Sequence, residues 1–549
     1  VTNDFMNRKG DNTMCGIAGC VGTRDTRTIE RMLDALPHRG PNDRGIHEYG
    51  KFTFGHTRLS IVDVAKGHQP ITANGGSLGI ICNGEVYNFR KIRTKLSPKY
   101  RFKTKSDTEV ILHLYQEKGP DCVKELNGMF AFAIFDGEKF MLARDPVGIK
   151  PLYYGYHNDH LYFSSELGAM SLAGVEEVHE FPAGHYYTPE QGFVRFYDVP
   201  PVEERRLTDI GKTSKIIRET FIKCVKDRLL ADPEVPVGSF CSGGLDSSLV
   251  AAIAADEIPH LHTFVVGMKD RNGELSDDIK AARIAAGHIG STHHELVFTE
   301  NDYYEALPHV IQKLETYDPS LVRCAVPCYF TCKLASEYVT VVLTGEGADE
   351  IFTGYHYMKH FPFDNLNEEA RRLLLNVHNI NLQRADRMGM AFSLELRVPF
   401  FDTAMMDLAM KIPPELKIRE HNGAKIEKWI LRKAFEETGY LPDDILWRYK
   451  VQYTQGAGCE DLGERLAEQE VSDDEWERLK AENPDAVLNS KEAAYYFKIF
   501  RRYHPQNSIL RSIGIWTGFD FAEEREKVHG TVDGDLKHDH SEDDESQAA

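Results

Sequence analysis

In Met14-Cys15-Gly16-Ile17 a thiol follows a methionine and opens an apolar run. If residues 1–14 were absent, Cys15 would carry a free α-amine titrating near pH ~8, a base able to take the thiol proton of its own residue and make it a nucleophile. The working chain is therefore expected to begin at Cys15, either because translation starts at Met14 or because the leader is removed. With the leader attached, residue 15 has only an amide nitrogen, and loss of the base should cost about 10²- to 10⁴-fold. A second stretch, Ser242-Gly243-Gly244-Leu245-Asp246-Ser247, is a hydroxyl- and glycine-rich turn between an apolar strand and a helix. Backbone N–H groups at such a helix start cradle phosphate oxygens, and Asp246 offers a hard oxygen to a cation such as Mg²⁺.

These groups need elements to hold them. From Cys15 to about Tyr197 short β-rich runs are broken by glycine: 16–22, 52–54, 78–82, 129–135, 140–143 and 161–164. Only 27–36 and 107–118 show helical spacing, so this part predicts an α+β domain of paired sheets over 15–199. Pro200, Pro201 and the charged Glu203 to Arg206 mark a connector over 200–209. Beyond it strands at 235–241, 263–267, 292–298 and 340–343 alternate with helices at 247–255 and 277–287, which predicts an α/β domain over 210–521 with a parallel sheet, its ligand at the carboxyl strand ends. From Lys359 onward the pattern is mainly helical, and the acidic tail 522–549 is expected to be disordered.

Among 549 residues, 65 Lys or Arg against 85 Asp or Glu leave a net charge of −20, which opposes a nucleic-acid partner or an anionic membrane. No run approaches the ~18 apolar residues of a membrane span, and the start of the chain lacks a secretory pattern, so a soluble, cytoplasmic protein is expected. The ten cysteines include no CxxC pair. Cys324, Cys328 and Cys332 read as one buried structural helix stripe. Gly211-Lys212-Thr213-Ser214 imitates the end of a Walker loop but lacks the earlier glycine and follows no strand.

His38-Arg39-Gly40-Pro41, His56-Thr57-Arg58-Leu59-Ser60, Asn83-Gly84-Glu85-Val86-Tyr87-Asn88 and Ser106-Asp107-Thr108-Glu109 together resemble the glutaminase domain of the N-terminal-nucleophile amidotransferases, and so imply its four-layer αββα fold. The resemblance implies that Arg58 grips the α-carboxylate of glutamine, that Glu85 and Asp107 hold its α-ammonium, and that the Asn83 amide and Gly84 N–H form an oxyanion hole beside Cys15. One departure is that Asn42 follows Pro41, with the acid only at Asp43.

The Ser242 turn matches the signature of the PP-loop ATP pyrophosphatases, which cleave ATP between the α- and β-phosphates to adenylate a carboxylate; Ser242, Gly243, Gly244, Asp246 and Ser247 are the matching residues. Thr344-Gly345-Glu346-Gly347-Ala348-Asp349-Glu350 resembles a segment of asparagine synthetases. There the resemblance implies that Glu346 serves formation of the acyl-adenylate and that Asp349 joins Asp246 on Mg²⁺. It also implies that Lys450 neutralises the leaving pyrophosphate, and that Phe240, Val266, Thr344 and Gly345 line the adenosine pocket. Arg323 and Arg397 fall where an acceptor carboxylate would be recognised, although Leu321, Cys324-Ala325-Val326, Val451 and Gln455 make that pocket less polar than the family pattern.

Over roughly residues 14 to 520 the combination resembles glutamine-hydrolysing asparagine synthetases of the bacterial type. It implies that glutamine, aspartate and ATP become asparagine, glutamate, AMP and pyrophosphate, with ammonia passing between the domains through an enclosed route. Partners are these small molecules, with no nucleic acid or membrane, and a homodimer is left open. The rival readings are a related ligase acting on another carboxylate, a tRNA-modifying PP-loop enzyme, which the charge opposes, and a catalytically dead binding module, which the intact motifs oppose.

Overall fold

The computed structural model describes residues 15–40, 42–201 and 207–516. The leader, Pro41, residues 202–206 of the connector and the acidic tail lie outside the described residues.

The amino-terminal half stacks two six-stranded antiparallel sheets. One runs Val178–Glu180, Tyr153–His157, His160–Ser164, Gly16–Val21, Phe52–Arg58, Asp43–Tyr49; the other runs Gly192–Arg195, His185–Thr188, Lys139–Arg144, Gly128–Asp136, Leu78–Val86, Ile71–Ala73. Side chains alternate along each strand, and both faces are buried along inner strands such as Gly16–Val21 and Phe52–Arg58, while the edge strands Asp43–Tyr49 and Gly192–Arg195 stay partly exposed. Ile17, Phe52, Phe54, Ile81, Phe135 and Phe163 meet between the sheets. On the outer face of the first sheet Ala18 and Cys20 pack with Ile29, Met32 and Leu33 of the helix Thr26–Asp34. On the outer face of the second, Ile80, Cys82 and Phe132 pack with Ile92 and Leu96 of Phe89–Leu96 and with Val110, Ile111 and Leu114 of Thr108–Lys118. Helix, sheet, sheet and helix make the expected αββα order. The helix Phe89–Leu96 and several edge strands escape a periodicity reading because each is short.

After the helix Ile210–Asp227, five parallel strands take the order Thr292–Val297, His262–Gly267, Val237–Phe240, Val341–Leu343, Glu395–Arg397. The chain builds outward from Val237–Phe240 on one side and then resumes on its other side. The crevice between Val237–Phe240 and Val341–Leu343 is thus a topological switch point, where ligands bind at carboxyl strand ends. The fifth strand, Glu395–Arg397, has no strand pattern of its own. Gly211 to Ser214 lie in the first turn of Ile210–Asp227, where Asp209 caps the Lys212 N–H at 2.7 Å, so the Walker imitation is an ordinary helix start.

Lys417, at the end of Pro414–Lys417, is wholly buried and donates to Asn367 Oδ1 at 2.9 Å. Burial lowers its amine to about 7. Between that value and the ordinary lysine range of about 10.4, the unfolded chain binds a proton that the folded chain does not, so stability rises with pH across that window. Lys417 is expected to add a climb to the thermal midpoint between about pH 7 and 10, against the opposite trend above about pH 8.5 from buried thiols such as Cys122, Cys224 and Cys459, whose pKa values burial raises. Lys417→Met should flatten that climb, and equal slopes for the two proteins would remove Lys417 as its source.

Candidate active sites

Cys15 is half-buried at the head of Gly16–Val21, and its thiol donates to Leu59 O at 3.7 Å. Burial pushes that thiol up to about 12; the Leu59 hydrogen bond and then the charge of Arg58 oppose the rise. Arg58 ends the neighbouring strand Phe52–Arg58 and is buried, its fork held by three carbonyls: Val64 O at 3.1 Å, Asp63 O at 2.7 Å and Val62 O at 3.4 Å.

Asn83, Gly84 and Glu85 follow one another on Leu78–Val86. Asn83 is fully buried, yet among the described residues neither its Nδ2 nor its Oδ1 has a protein partner. An amide left so costs about 1–3 kcal/mol, a cost that a ligand can relieve. Gly84 has φ +144°, and a Cβ there would stand 2.0 Å from Met129 O, so only glycine fits this turn of backbone. Glu85 and Asp107 crowd two carboxyls into one dry place. Burial, followed by the charge of Asp107, holds Glu85 well above the carboxylate range, and burial lifts Asp107 to about 6 even though it accepts the Val86 N–H at 2.7 Å. Such a pair favours an added cation, and an α-ammonium group fits that demand. The motif acid Asp43 takes no part here: its carboxylate bonds His68 Nδ1 at 2.6 Å near the surface, while Asn42 accepts the Ser60 N–H at 3.1 Å.

The second site is a cavity of about 440 Å³ at the switch point. Phe240, Ser242, Gly244, Asp246, Ser247, Val266, Thr344, Gly345, Glu346, Asp349 and Lys450 all lie on its wall. Gly243 does not. It turns back with φ +73°, and a Cβ would stand 2.3 Å from the Ala281 carbonyl carbon, so it serves the packing of Asp277–Ile289 against the loop. Ser247 Oγ accepts the Ser242 N–H at 3.1 Å, which curls the turn over the start of Leu245–Ala255.

Two lysines stand between the two aspartates. Lys450 Nζ lies 2.7 Å from Asp349 Oδ2, and Lys428 Nζ reaches Asp349 Oδ1 at 2.5 Å and also pairs with Asp246. Against the raising effect of burial, Lys428 and then Lys450 hold Asp349 well below the carboxylate range. Asp246 Oδ1 is buried without a hydrogen-bond partner among the described residues. These hard oxygens suit a divalent cation that shares its shell with phosphates, and among the described residues no cluster of three or more His, Cys, Asp or Glu would hold a metal alone.

Other placements depart from the sequence expectation. Arg323 is drawn off by Glu492, with Nε at 2.9 and 3.0 Å from its two oxygens, and is not on the cavity wall. Arg397 is completely buried and turned the other way: it bonds Glu395 at 2.7 Å and the carbonyls of Arg228 and Leu230 at 2.7 and 2.5 Å, near the ring of Tyr87. Of the cysteine stripe Cys328 and Cys332 are buried in the core as expected and Cys324 is half-buried; Cys324 and Cys328 also border the cavity. All ten cysteines are free thiols. Lys428 and Arg384, which donates to Glu346 at 2.6 Å, were not singled out by the sequence, since each is a lone cation in a charged stretch.

The two sites lie back to back across Glu395–Arg397. Period-two alternation sends Leu396 to the cavity and leaves Glu395 and Arg397 on the side of Glu85, where Glu395 also acts on Cys15 and Asp107.

An N-terminal αββα half with a cysteine at its strand head, joined to a parallel-sheet half with a phosphate-type loop, defines a two-domain amidotransferase. Residues 14–195 match the family described as glutamine amidotransferase domain, and residues 216–375 and 362–498 match the one described as asparagine synthase. A Dictyostelium discoideum protein named a probable glutamine-hydrolysing asparagine synthetase is 37% identical over 542 residues, covering 92% of this chain and 96% of its own. An Arabidopsis thaliana glutamine-hydrolysing asparagine synthetase is 38% identical over 524 residues, with 91% and 89% covered. Among solved structures, a glutamine phosphoribosylpyrophosphate amidotransferase from B. subtilis aligns at TM-score 0.30 and 24% identity over 47% of this chain and 67% of that one. The chain belongs to the glutamine-hydrolysing asparagine synthetase family.

Proposed function

We propose that the protein makes asparagine from aspartate, ATP and glutamine, with AMP, pyrophosphate and glutamate as the other products. The observation that carries the coupled reaction is the single strand Glu395–Arg397 standing between the two sites.

In the first site Cys15 Sγ attacks the glutamine amide carbon. Arg58 receives the α-carboxylate, and Glu85 with Asp107 receives the α-ammonium. The Asn83 amide and Gly84 N–H stabilise the oxyanion, at about 3 kcal/mol for one such donor. Ammonia leaves as a thioester forms, and water then releases glutamate. The thiol's raised pKa calls for a base, and the working form is proposed to begin at Cys15, whose α-amine supplies one.

In the second site Ser242, Gly244 and Ser247 cradle the phosphates of ATP, while Phe240, Val266, Thr344 and Gly345 border the adenosine. The aspartate β-carboxylate attacks the α-phosphorus, and the bond to pyrophosphate breaks. Lys450 and Lys428 neutralise the departing charge. Mg²⁺ held by Asp246 and Asp349 would add positive charge at the phosphates. Glu346, steadied by Arg384, borders the adenylate; ammonia attacks its acyl carbon and AMP leaves. The charge of −20, and the lack of any helix long and apolar enough to cross a membrane among the described residues, support a cytoplasmic enzyme of small molecules, and a homodimer is compatible with it.

Leu321, Cys324 and Cys328 on the cavity wall favour one second reading, a related amide ligase with a different carboxylate acceptor. Pyrophosphate release separates the two. Aspartate is expected to trigger it with ATP, and either glutamine or ammonia to turn the adenylate into asparagine. Silence of aspartate with both donors would overturn the assignment.

A further inference from the structure

One helix of the synthase half, Asn381–Met390, touches both sites. Residues two apart on a helix lie about 200° apart around its axis, so side chains at 384 and 386 leave on opposite faces. On one face Arg384 donates to Glu346 at 2.6 Å and borders the cavity. On the other, Asp386 accepts both Nη groups of Arg39, at 2.8 and 3.1 Å. Arg39 belongs to the amidotransferase half, 347 residues away in sequence, and is completely buried. Its third nitrogen, Nε, donates to the carbonyl oxygen of Cys15 at 3.2 Å, and Glu166 takes Nη1 as well at 2.9 Å. The guanidinium is planar and rigid, so the fork fixed on Asp386 also fixes where Nε points.

We propose that Asp386 is a positioning residue for the nucleophile of the other domain: it holds Arg39 on the Cys15 carbonyl and thereby sets where the Cys15 thiol stands. The inference rests on Cys15 being the nucleophile. A second tie between the halves runs beside this pair through Arg387, which also donates to Asp386 at 3.3 Å. Arg387 bonds Glu315 at 2.8 Å, and Glu315 accepts the N–H groups of Leu167 and Gly168 at 3.0 and 2.6 Å. Loss of the Asp386 carboxylate therefore acts on the pose of Cys15 more than on the joining of the domains. A misplacement of about 1 Å can cost ~10²-fold in rate without loss of substrate binding.

The test uses the full chain and reads glutamine hydrolysis beside ammonia-dependent asparagine synthesis. Asp386→Asn is expected to lower kcat for glutamine about tenfold or more, while KM for glutamine and ammonia-dependent synthesis stay within about twofold. Arg39→Lys, which keeps the charge pair but cannot bridge to the Cys15 carbonyl in the same geometry, should show the same split between nitrogen donors, and the double variant should lose no more than the worse single. Unchanged hydrolysis in Asp386→Asn, equal loss with both donors, or additive losses in the double variant would overturn the proposal. If Asp386→Asn does not fold, as judged by its thermal unfolding, Arg39→Lys decides: no split between donors overturns it. Wild-type protein that fails to hydrolyse glutamine would refute the nucleophile assignment instead.

Discussion

Cys15→Ala is expected to abolish glutamine-dependent asparagine synthesis, by about 10⁴-fold or more, and to leave ammonia-dependent synthesis within about twofold of wild type. Without the sulfur no covalent intermediate forms, and none of the groups placed nearby can replace it: Asn83 is an amide, Arg58 a cation, and Glu85 and Asp107 are the carboxyls proposed to hold the ammonium end of the ligand. The change is small, since among the described residues the thiol makes one hydrogen bond, the long one to Leu59 O. The synthase cavity lies beyond Glu395–Arg397 and includes no atom of Cys15 in its wall. Asparagine formation followed with each nitrogen donor checks the result. Equal loss with both donors would mean that the two reactions share one centre.

Asp246→Asn should act in the opposite direction, lowering aspartate-dependent pyrophosphate release by about 10²- to 10³-fold and sparing basal glutamine hydrolysis. In the folded protein the two lysines at the loop, Lys428 and Lys450, face two carboxylates, Asp246 and Asp349. Neutralising Asp246 leaves a surplus positive charge in a buried place and turns the carboxylate whose unpartnered Oδ1 suits a divalent cation into an amide, a much weaker ligand. Breaking one side of a buried charge cluster costs about 3–5 kcal/mol, so the melting point of the variant belongs in the same experiment. Glutamate release falling as steeply as pyrophosphate release would argue against separate sites.

The residues legible in the sequence are those whose chemistry comes in contiguous runs on one element. Asn83-Gly84-Glu85 occupy the end of one strand, and Ser242 to Ser247 one strand-to-helix turn, so order along the chain is already order in space. Arg323 and Arg397 show where that logic stops. Their residue type suits a carboxylate, but Glu492, 169 positions along the chain from Arg323, claims its guanidinium. On the strand Glu395–Arg397 the pleat gives the cavity to Leu396 and turns Arg397 toward Tyr87 and the carbonyls of Arg228 and Leu230. Lys428 was invisible for the converse reason: a lysine among charged residues carries no signal until the fold sets two aspartates from other segments around it.

By itself the sequence pointed to the two chemistries through the resemblance its motifs carry, and it determined the longer elements and the division into an antiparallel and a parallel half, because strand alternation, helix spacing and glycine turns act over a few residues. Only the tertiary structure decided which way each charged side chain faces, which cysteines border a cavity, and that Asp386 of one half meets Arg39 of the other. Those outcomes depend on partners hundreds of residues distant, and a buried charge goes where such a partner can offset its lost hydration.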